Sequence, residues 1–272
     1  MYRVVLAALL AITFLKPAMA AEQITVSGST SVARVMDVLA EQFNAQQTDS
    51  YVAVQAVGST AGVTLVEKGV ADIGMTSRYL TEREDTEALE VFPIAYDGLA
   101  IVVNVANPVT NLTPEQLYDI YKGKVTNWKQ VGGEDQRIAV VTREASSGTR
   151  TSFESILGLT RIINNRFVSD INPTNLVVNS NSMVKTIVTN NTHAIGFVSE
   201  GSVDRSIKAI QFDGVDATSG NISTGKYGLA RPFLMLHNAD SVEDGADKFI
   251  KFVLSKEGQA IIEEYGYTAI KQ

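Results

Sequence analysis

The sequence predicts an α/β fold built from mostly parallel sheets flanked by helices. Three observations carry that expectation. Short runs rich in β-branched residues alternate with segments whose apolar residues recur at helical spacing, a pattern that builds sheets covered on both faces. Three of the strand-to-helix junctions are turns of Gly, Ser and Thr. The chain's 272 residues exceed what one small core holds, so one large or two smaller domains are expected.

Residues 1–20 stand apart from that alternation. Arg3 precedes an apolar run over residues 4–15, Lys16-Pro17 interrupts it, and Ala18-Met19-Ala20 is a small-x-small site. This is the pattern of a secretory signal peptide cleaved after Ala20, and the run is too short to span a bilayer. No Cys follows to carry a lipid anchor. The mature chain is expected to be exported and to lie in the periplasm, with secretion as the alternative.

Residues 24–26 read as a strand, followed by a turn and by Val32, Val35, Met36, Leu39 and Phe43 at helical spacing. Residues 52–57 form the next strand, and Val63, Val66 and Val70 fit a short helix. Residues 72–75 are a third strand. Thr81 and Glu84 have capping-box spacing for a helix start. Residues 99–104 read as a buried strand. Thr113, Pro114 and Gln116 give an N-cap, a proline at the first position and a capping partner. Residues 138–142 form a strand leading to a helix with Phe153, Ile156 and Leu157. A helix over 180–191, strands over 194–199 and 231–236, and helices over 241–254 and 255–265 complete the chain.

Composition excludes several chemistries. With no Cys, there is no disulfide framework, iron–sulfur site or thiol nucleophile. His193 and His237 form no zinc-binding pair, so no metal is expected. A net charge of -7 argues against a nucleic-acid surface. The G-x-x-x-x-G-K-[ST] and G-x-G-x-x-G signatures are absent. Gly58 to Gly62 has the spacing of a nucleophile elbow, but Thr60 is at its centre. Ser182 and Lys185 match S-x-x-K without the companion motifs.

The chemistry concentrates in the three turns: Gly28-Ser29-Thr30-Ser31, Gly58-Ser59-Thr60-Ala61-Gly62 and Ser146-Ser147-Gly148-Thr149. A helix start presents unpaired N–H groups and a partial positive charge. Glycine lets a ligand approach the backbone, and hydroxyls add neutral donors, so such turns suit an anion. Each Ser or Thr alone reads equally as an N-cap. The repetition of one grammar, with Arg143 beside the third turn, favours a shared anion site.

The ordered set of residues 27–32 (Ser-Gly-Ser-Thr-Ser-Val), 57–62 (Val-Gly-Ser-Thr-Ala-Gly), 72–78 (Asp-Ile-Gly-Met-Thr-Ser-Arg) and 145–149 (Ala-Ser-Ser-Gly-Thr) resembles the PstS-like phosphate-binding proteins of ABC transporters. Residues 118–123, Asn127-Trp128 and the strand over 194–197 fit the same family. The resemblance implies a two-lobe periplasmic-binding-protein fold of type II with a two-strand hinge, crossing near 102–104 and 228–231. It implies one discontinuous lobe, 21–102 with 230–272, and a second over 103–229. It also implies inorganic phosphate as ligand, a membrane-embedded ABC permease as partner, a monomer, no cofactor and no catalysis.

Carried onto this chain, the family's site falls on Thr30, Ser31, Ser59, Thr60, Arg143, Ser147, Gly148 and Thr149, with Asn181 as a further contact. Ser77 stands where many members carry an Asp that accepts the proton of hydrogen phosphate, and Arg78 follows it. Asp97 is the candidate to supply that acceptor instead. Sulfate or molybdate therefore remain alternative ligands. So do a loop-serine esterase and an extracellular non-transport role on the same fold.

Overall fold

Strand–turn–helix units open the structure, a computed structural model that describes residues 21–164, 166–240 and 242–270. The expected signal peptide at 1–20 lies outside the described residues. In chain order the first elements are β1 (Glu22–Gly28), α1 (Thr30–Gln46), β2 (Ser50–Ala56), α2 (Ser59–Glu67) and β3 (Ile73–Thr76). β1 pairs in parallel with both β2 and β3, placing Val26 opposite Val54 and Ile73. Val32, Val35, Met36 and Leu39 bury the predicted face of α1.

β4 (Leu89–Val103) is longer than its predicted core. β5 (Asn111–Leu112), α3 (Pro114–Lys122), β6 (Ala139–Arg143), α4 (Gly148–Leu157), β7 (Thr160–Ile163) and β8 (Arg166–Ser169) follow. The predicted capping box of α3 is present, with Thr113 and Gln116 bonding reciprocally. Then come β9 (Leu176–Val178), α5 (Asn181–Asn190), β10 (Ala194–Ser199), β11 (Lys208–Phe212), α6 (Ser219–Ser223), β12 (Ala230–Asn238), α7 (Asp244–Leu254), α8 (Lys256–Glu264) and β13 (Thr268–Ala269).

The main sheet runs in the order β2-β1-β3-β12-β4-β10-β6-β9. Its outer pairs β1–β2, β1–β3, β6–β9 and β6–β10 are parallel, as predicted. Its antiparallel pairs all involve β4 or β12, which run against each other: β12 opposes β3, and β4 opposes β10, β11 and β13. β4 pairs with β12 as far as Gly98, then with β10 from Leu99 onward. This partner change falls ahead of the crossing expected at 102–104, where Val102 and Val103 already pair with β10 and β11. The backbone at Gly98 lies tight under α6: an added Cβ would stand 2.8 Å from Ile222 Cδ1.

Apolar burial divides the same way. One core draws on residues 24–95 and 233–267. The other large core lies wholly between Leu99 and Leu229 and includes Tyr121, Trp128, Phe153 and Phe197. Each half therefore buries its own apolar surface, the dominant favourable term in folding.

Three expectations are corrected. Residues 81–84 form a turn rather than a helix start. The Glu84 carboxylate does accept from the Thr81 N–H, but it is also held by Arg78 at 2.7 Å, and no apolar stripe follows to bury a helix. Val70 lies beyond α2 and is 64% exposed, because the helix ends at Glu67 and Gly69 turns the chain with φ +64°. The predicted strand over 99–104 is only the last third of β4.

Candidate functional site

The N-termini of α1, α2, α4 and α5 meet where the two halves face each other. In the first half, Ser29 caps α1, its Oγ accepting from the N–H groups of Ser31 and Val32. The buried face of α1 fixes the helix, and the cap leaves Thr30 and Ser31 turned to the opposite half. Gly28 is required here: φ is +149°, and a Cβ would strike the Met75 carbonyl. α2 starts at Ser59 after Gly58, whose φ of +96° again suits glycine. Ser59 Oγ accepts from the Ser77 N–H at 3.2 Å, and Ser29 Oγ donates to Ser77 Oγ at 2.9 Å.

In the second half, Phe153 of α4 stacks on Phe197 of β10 with ring centres 4.1 Å apart, and Tyr121 packs edge-on at 4.6 Å. That anchorage aims the first turn of α4 at the cleft. Ser147 Oγ caps it by accepting from the Arg150 N–H, so this hydroxyl is engaged within its own helix. Gly148 and Thr149 occupy the first two helical positions, whose N–H groups have no carbonyl partner in the helix. Ser180 caps α5 and presents Asn181. Arg143 ends β6 and is almost wholly buried. Its guanidinium donates to Asn181 Oδ1 at 3.2 Å, to the Asn179 carbonyl at 3.2 Å and to both Glu144 oxygens at 3.0 Å.

The halves are joined by side chains. Ser31 Oγ and Thr149 Oγ1 are 2.9 Å apart, Asn181 Nδ2 donates to Ser31 Oγ at 3.0 Å, and Arg143 Nη2 donates to Thr30 Oγ1 at 3.1 Å. Ser152 Oγ donates to the Ser77 carbonyl at 3.1 Å. Thr30, Ser31, Arg143, Thr149 and Asn181 thus form one network, with Ser59, Ser77 and Gly148 packed beside it. Thr60 and Arg78 form an outer pair at 3.2 Å.

The sequence reading missed Arg231 as a site residue, naming it only as a strand start. It is buried in β12, donates to Ser31 Oγ at 3.3 Å and to the Ser77 carbonyl at 3.2 Å, and pairs with Asp97 of β4 at 2.8 Å. Asp97 Oδ1 accepts from Ser199 Oγ and the Glu200 N–H. Both carboxylate oxygens are therefore engaged by the protein itself.

Gly148 makes the closest approach across the cleft. A Cβ there would stand 2.9 Å from both Ser59 Cβ and Ser77 Oγ. Gly148→Ala is expected to hold the halves apart and weaken ligand binding about tenfold or more, with little effect on the separate cores. Small-angle scattering with ligand present should show a larger radius than wild type; an unchanged radius and affinity would refute the close approach.

Each buried arginine at the cleft has its own carboxylate: Arg143 with Glu144, Arg231 with Asp97, Arg78 with Glu84. Charge is locally balanced, so an anion here is held by oriented N–H and O–H dipoles and helix termini rather than by net charge. Burial pushes the Asp97 carboxyl up and the Arg231 guanidinium down, and their mutual attraction opposes both shifts. Glu200, beside Asp97, is pushed from 4.5 to about 7, by burial first and by the Asp97 charge second, with Arg34 opposing. Between those two pH values the folded chain keeps a proton that the unfolded chain has lost. Its contribution to stability is therefore lost as pH rises through that window. Thermal melts across it should fall more steeply with pH for wild type than for Glu200→Gln; parallel curves would remove Glu200 from this role.

Two α/β halves closing a neutral, hydroxyl-rich network between helix N-termini define a two-lobe binding protein. Comparison with known proteins names its family. Residues 16–257 match the model of the PBP superfamily domain. The phosphate-binding protein PstS of Staphylococcus epidermidis is 31% identical over 89% of this chain and 77% of its own length. That of Borreliella burgdorferi is 29% identical over 91% and 90%. Among solved structures, an ABC-type phosphate transport receptor from Vibrio cholerae is 64% identical with a TM-score of 0.78, over 91% of this chain and 100% of the other. A putative phosphate ABC transporter substrate-binding protein with bound phosphate, from Clostridium perfringens, is 38% identical with a TM-score of 0.86, over 92% and 100%. The chain belongs to the PBP superfamily and, within it, to the PstS family.

Proposed function

We propose that the protein captures inorganic phosphate between its two lobes and delivers it to a membrane-embedded ABC permease. The observation that carries this reading is the cross-cleft network of Thr30, Ser31, Arg143, Thr149 and Asn181, set among four helix N-termini. Phosphate oxygens accept from the Thr30, Gly148 and Thr149 N–H groups, the Ser31, Ser59 and Thr149 hydroxyls and the Arg143 fork. Arg231 adds a second guanidinium. The lobes in this reading are residues 21–98 with 230–270, and residues 99–229, hinged where β4 changes partners and where β12 begins. Ligand contacts from both lobes stabilise the closed form, as hinge closure requires.

The protein acts without catalysis in this reading. Supporting that, the His193 ring contacts the Thr192 hydroxyl and the His237 ring the Asn238 carbonyl, so neither imidazole is set against a site hydroxyl. Export follows from residues 1–20, with cleavage after Ala20. No helix among the described residues is long and apolar enough to cross a membrane.

The test is calorimetric titration of residues 21–272, stripped of bound anion, with phosphate, sulfate and molybdate. Tight phosphate binding without sulfate heat is expected. Because Ser77 is neutral and Asp97 is engaged by Arg231, the phosphate proton is then accepted by a site hydroxyl. Preference for sulfate or molybdate would reassign the ligand, and no binding of the three would overturn the reading.

A further inference from the structure

Where β10 ends, the second half leans on the first. Ser199, the last residue of β10, pairs with Leu99, and a single 3-10 turn (Glu200–Ser202) follows. That turn packs against the segment ahead of β13. A Cβ at Gly201 would stand 2.6 Å from Tyr267 Cζ, and one at Gly266 would stand 3.4 Å from Glu200 Oε2. Ser219 Oγ of α6 adds a bond to the Gly266 carbonyl at 3.1 Å. The contact belongs to both halves and lies at the hinge, so it changes when they rotate apart.

Inside this contact Glu200 Oε2 is buried without a hydrogen-bond donor. An ionised oxygen so placed is costly, whereas a protonated carboxyl is neutral. Asp97 of β4, Arg34 of α1 and the Tyr227 phenol ahead of β12 all face Glu200 electrostatically, and Tyr267 packs on the residue beside it. Burial and the Asp97 charge hold the Glu200 carboxyl up at about 7, with Arg34 opposing. The Glu200 N–H donates to Asp97 Oδ1 at 3.1 Å, and Arg231 pairs with Asp97 at 2.8 Å while donating to Ser31 Oγ at 3.3 Å. An anion beside Ser31 draws on the same guanidinium, so the Asp97 charge reaches Glu200 less compensated.

We infer that closing the halves on phosphate takes up a proton at Glu200, which makes the hinge a pH-sensitive latch. With the halves apart, water reaches Oε2 and the carboxyl ionises more readily. Closure and the bound charge both favour the proton. By linkage, affinity then falls as pH rises from the ordinary carboxylate range toward neutrality, and levels off once both forms are ionised. This inference rests on the reading of the network as a phosphate site.

The experiment is calorimetric titration of residues 21–272 with inorganic phosphate from about pH 5 to about pH 8, on wild type, Glu200→Gln and Arg34→Gln. Glu200→Gln is neutral throughout and close in shape to the protonated carboxyl. Its affinity should match wild type at about pH 5 and exceed it about tenfold at about pH 8, the effect of a shift of about one unit between open and closed forms. The ratio of the two affinities cancels the ionisation of phosphate itself. Arg34→Gln deletes the opposing cation, so its fall in affinity should lie at higher pH than that of wild type. Parallel curves for wild type and Glu200→Gln overturn this inference and leave the phosphate reading intact, as does a constant offset, which is all a packing role would give. Should a thermal melt show Glu200→Gln unfolded, Arg34→Gln decides, and a fall at unchanged pH overturns the inference. Failure of wild type to bind phosphate at any of these pH values overturns the phosphate reading first, and this inference with it.

Discussion

Arg143→Ala is expected to weaken phosphate binding at least about a hundredfold while leaving the chain folded. The guanidinium lies at the end of β6 with almost no solvent contact, so its bonds are made at low dielectric. Charge-assisted bonds of this kind contribute about 1.5–3 kcal/mol each. Removing the fork also leaves the Glu144 carboxylate without its counter-ion, an uncompensated like charge one residue from position 143. The two effects act in the same direction. Arg143→Lys keeps the charge but loses the planar fork, so it should fall between wild type and Arg143→Ala. Calorimetry reads the affinities, and a thermal melt without ligand reads the fold. Wild-type affinity in Arg143→Ala would place the anion elsewhere.

Asp97→Ala should give the largest loss of stability. It leaves Arg231 buried without its counter-ion and strands Ser199 Oγ and the Glu200 N–H without an acceptor. Breaking a buried pair from one side costs about 3–5 kcal/mol, which for a chain of this size lowers Tm by roughly 6–20 °C. Ligand affinity should fall with it, because Arg231 is held toward Ser31 and Ser77 by Asp97. Replacing both partners, Asp97→Leu with Arg231→Met, should recover much of the stability but not the affinity. Equal Tm values for wild type and Asp97→Ala would show the pair to be dispensable.

What the sequence made legible was local. Ser29, Ser147 and Ser180 act as helix caps, an interaction completed within three residues, so turn chemistry predicted α1, α4 and α5. The apolar spacing of Val32, Val35, Met36 and Leu39 likewise predicted a buried helix face. The Arg231–Asp97 pair spans 134 positions in the chain. No pattern in either neighbourhood announces it, so Arg231 was invisible as a site residue. The same distance problem misled at Glu84. Its capping-box spacing with Thr81 is real, but Arg78 captures the carboxylate. The β7–β8 hairpin was missed because its apolar residues, Ile162, Ile163, Phe167 and Val168, are consecutive pairs exposed on a ribbon, without the alternation of a half-buried strand. The first part of β4 was hidden by Pro93 and by polar residues that face solvent.

The position of β12 has a consequence for how the chain is made. β3 and β4 follow one another in sequence, yet they do not pair; β12 lies between them and bonds to both. A ribosome therefore emits the early strands with a gap at their centre, and residues 230–238 fill it only after most of the chain has emerged. Until then β3 lacks a neighbour along one side, and the first part of β4, whose other partner β13 comes later still, lacks one along both, which delays locking of that half. In the proposed reading, in which the chain crosses a membrane before it folds, such a delay is an advantage, because the stretch that completes the early sheet is among the last to be supplied.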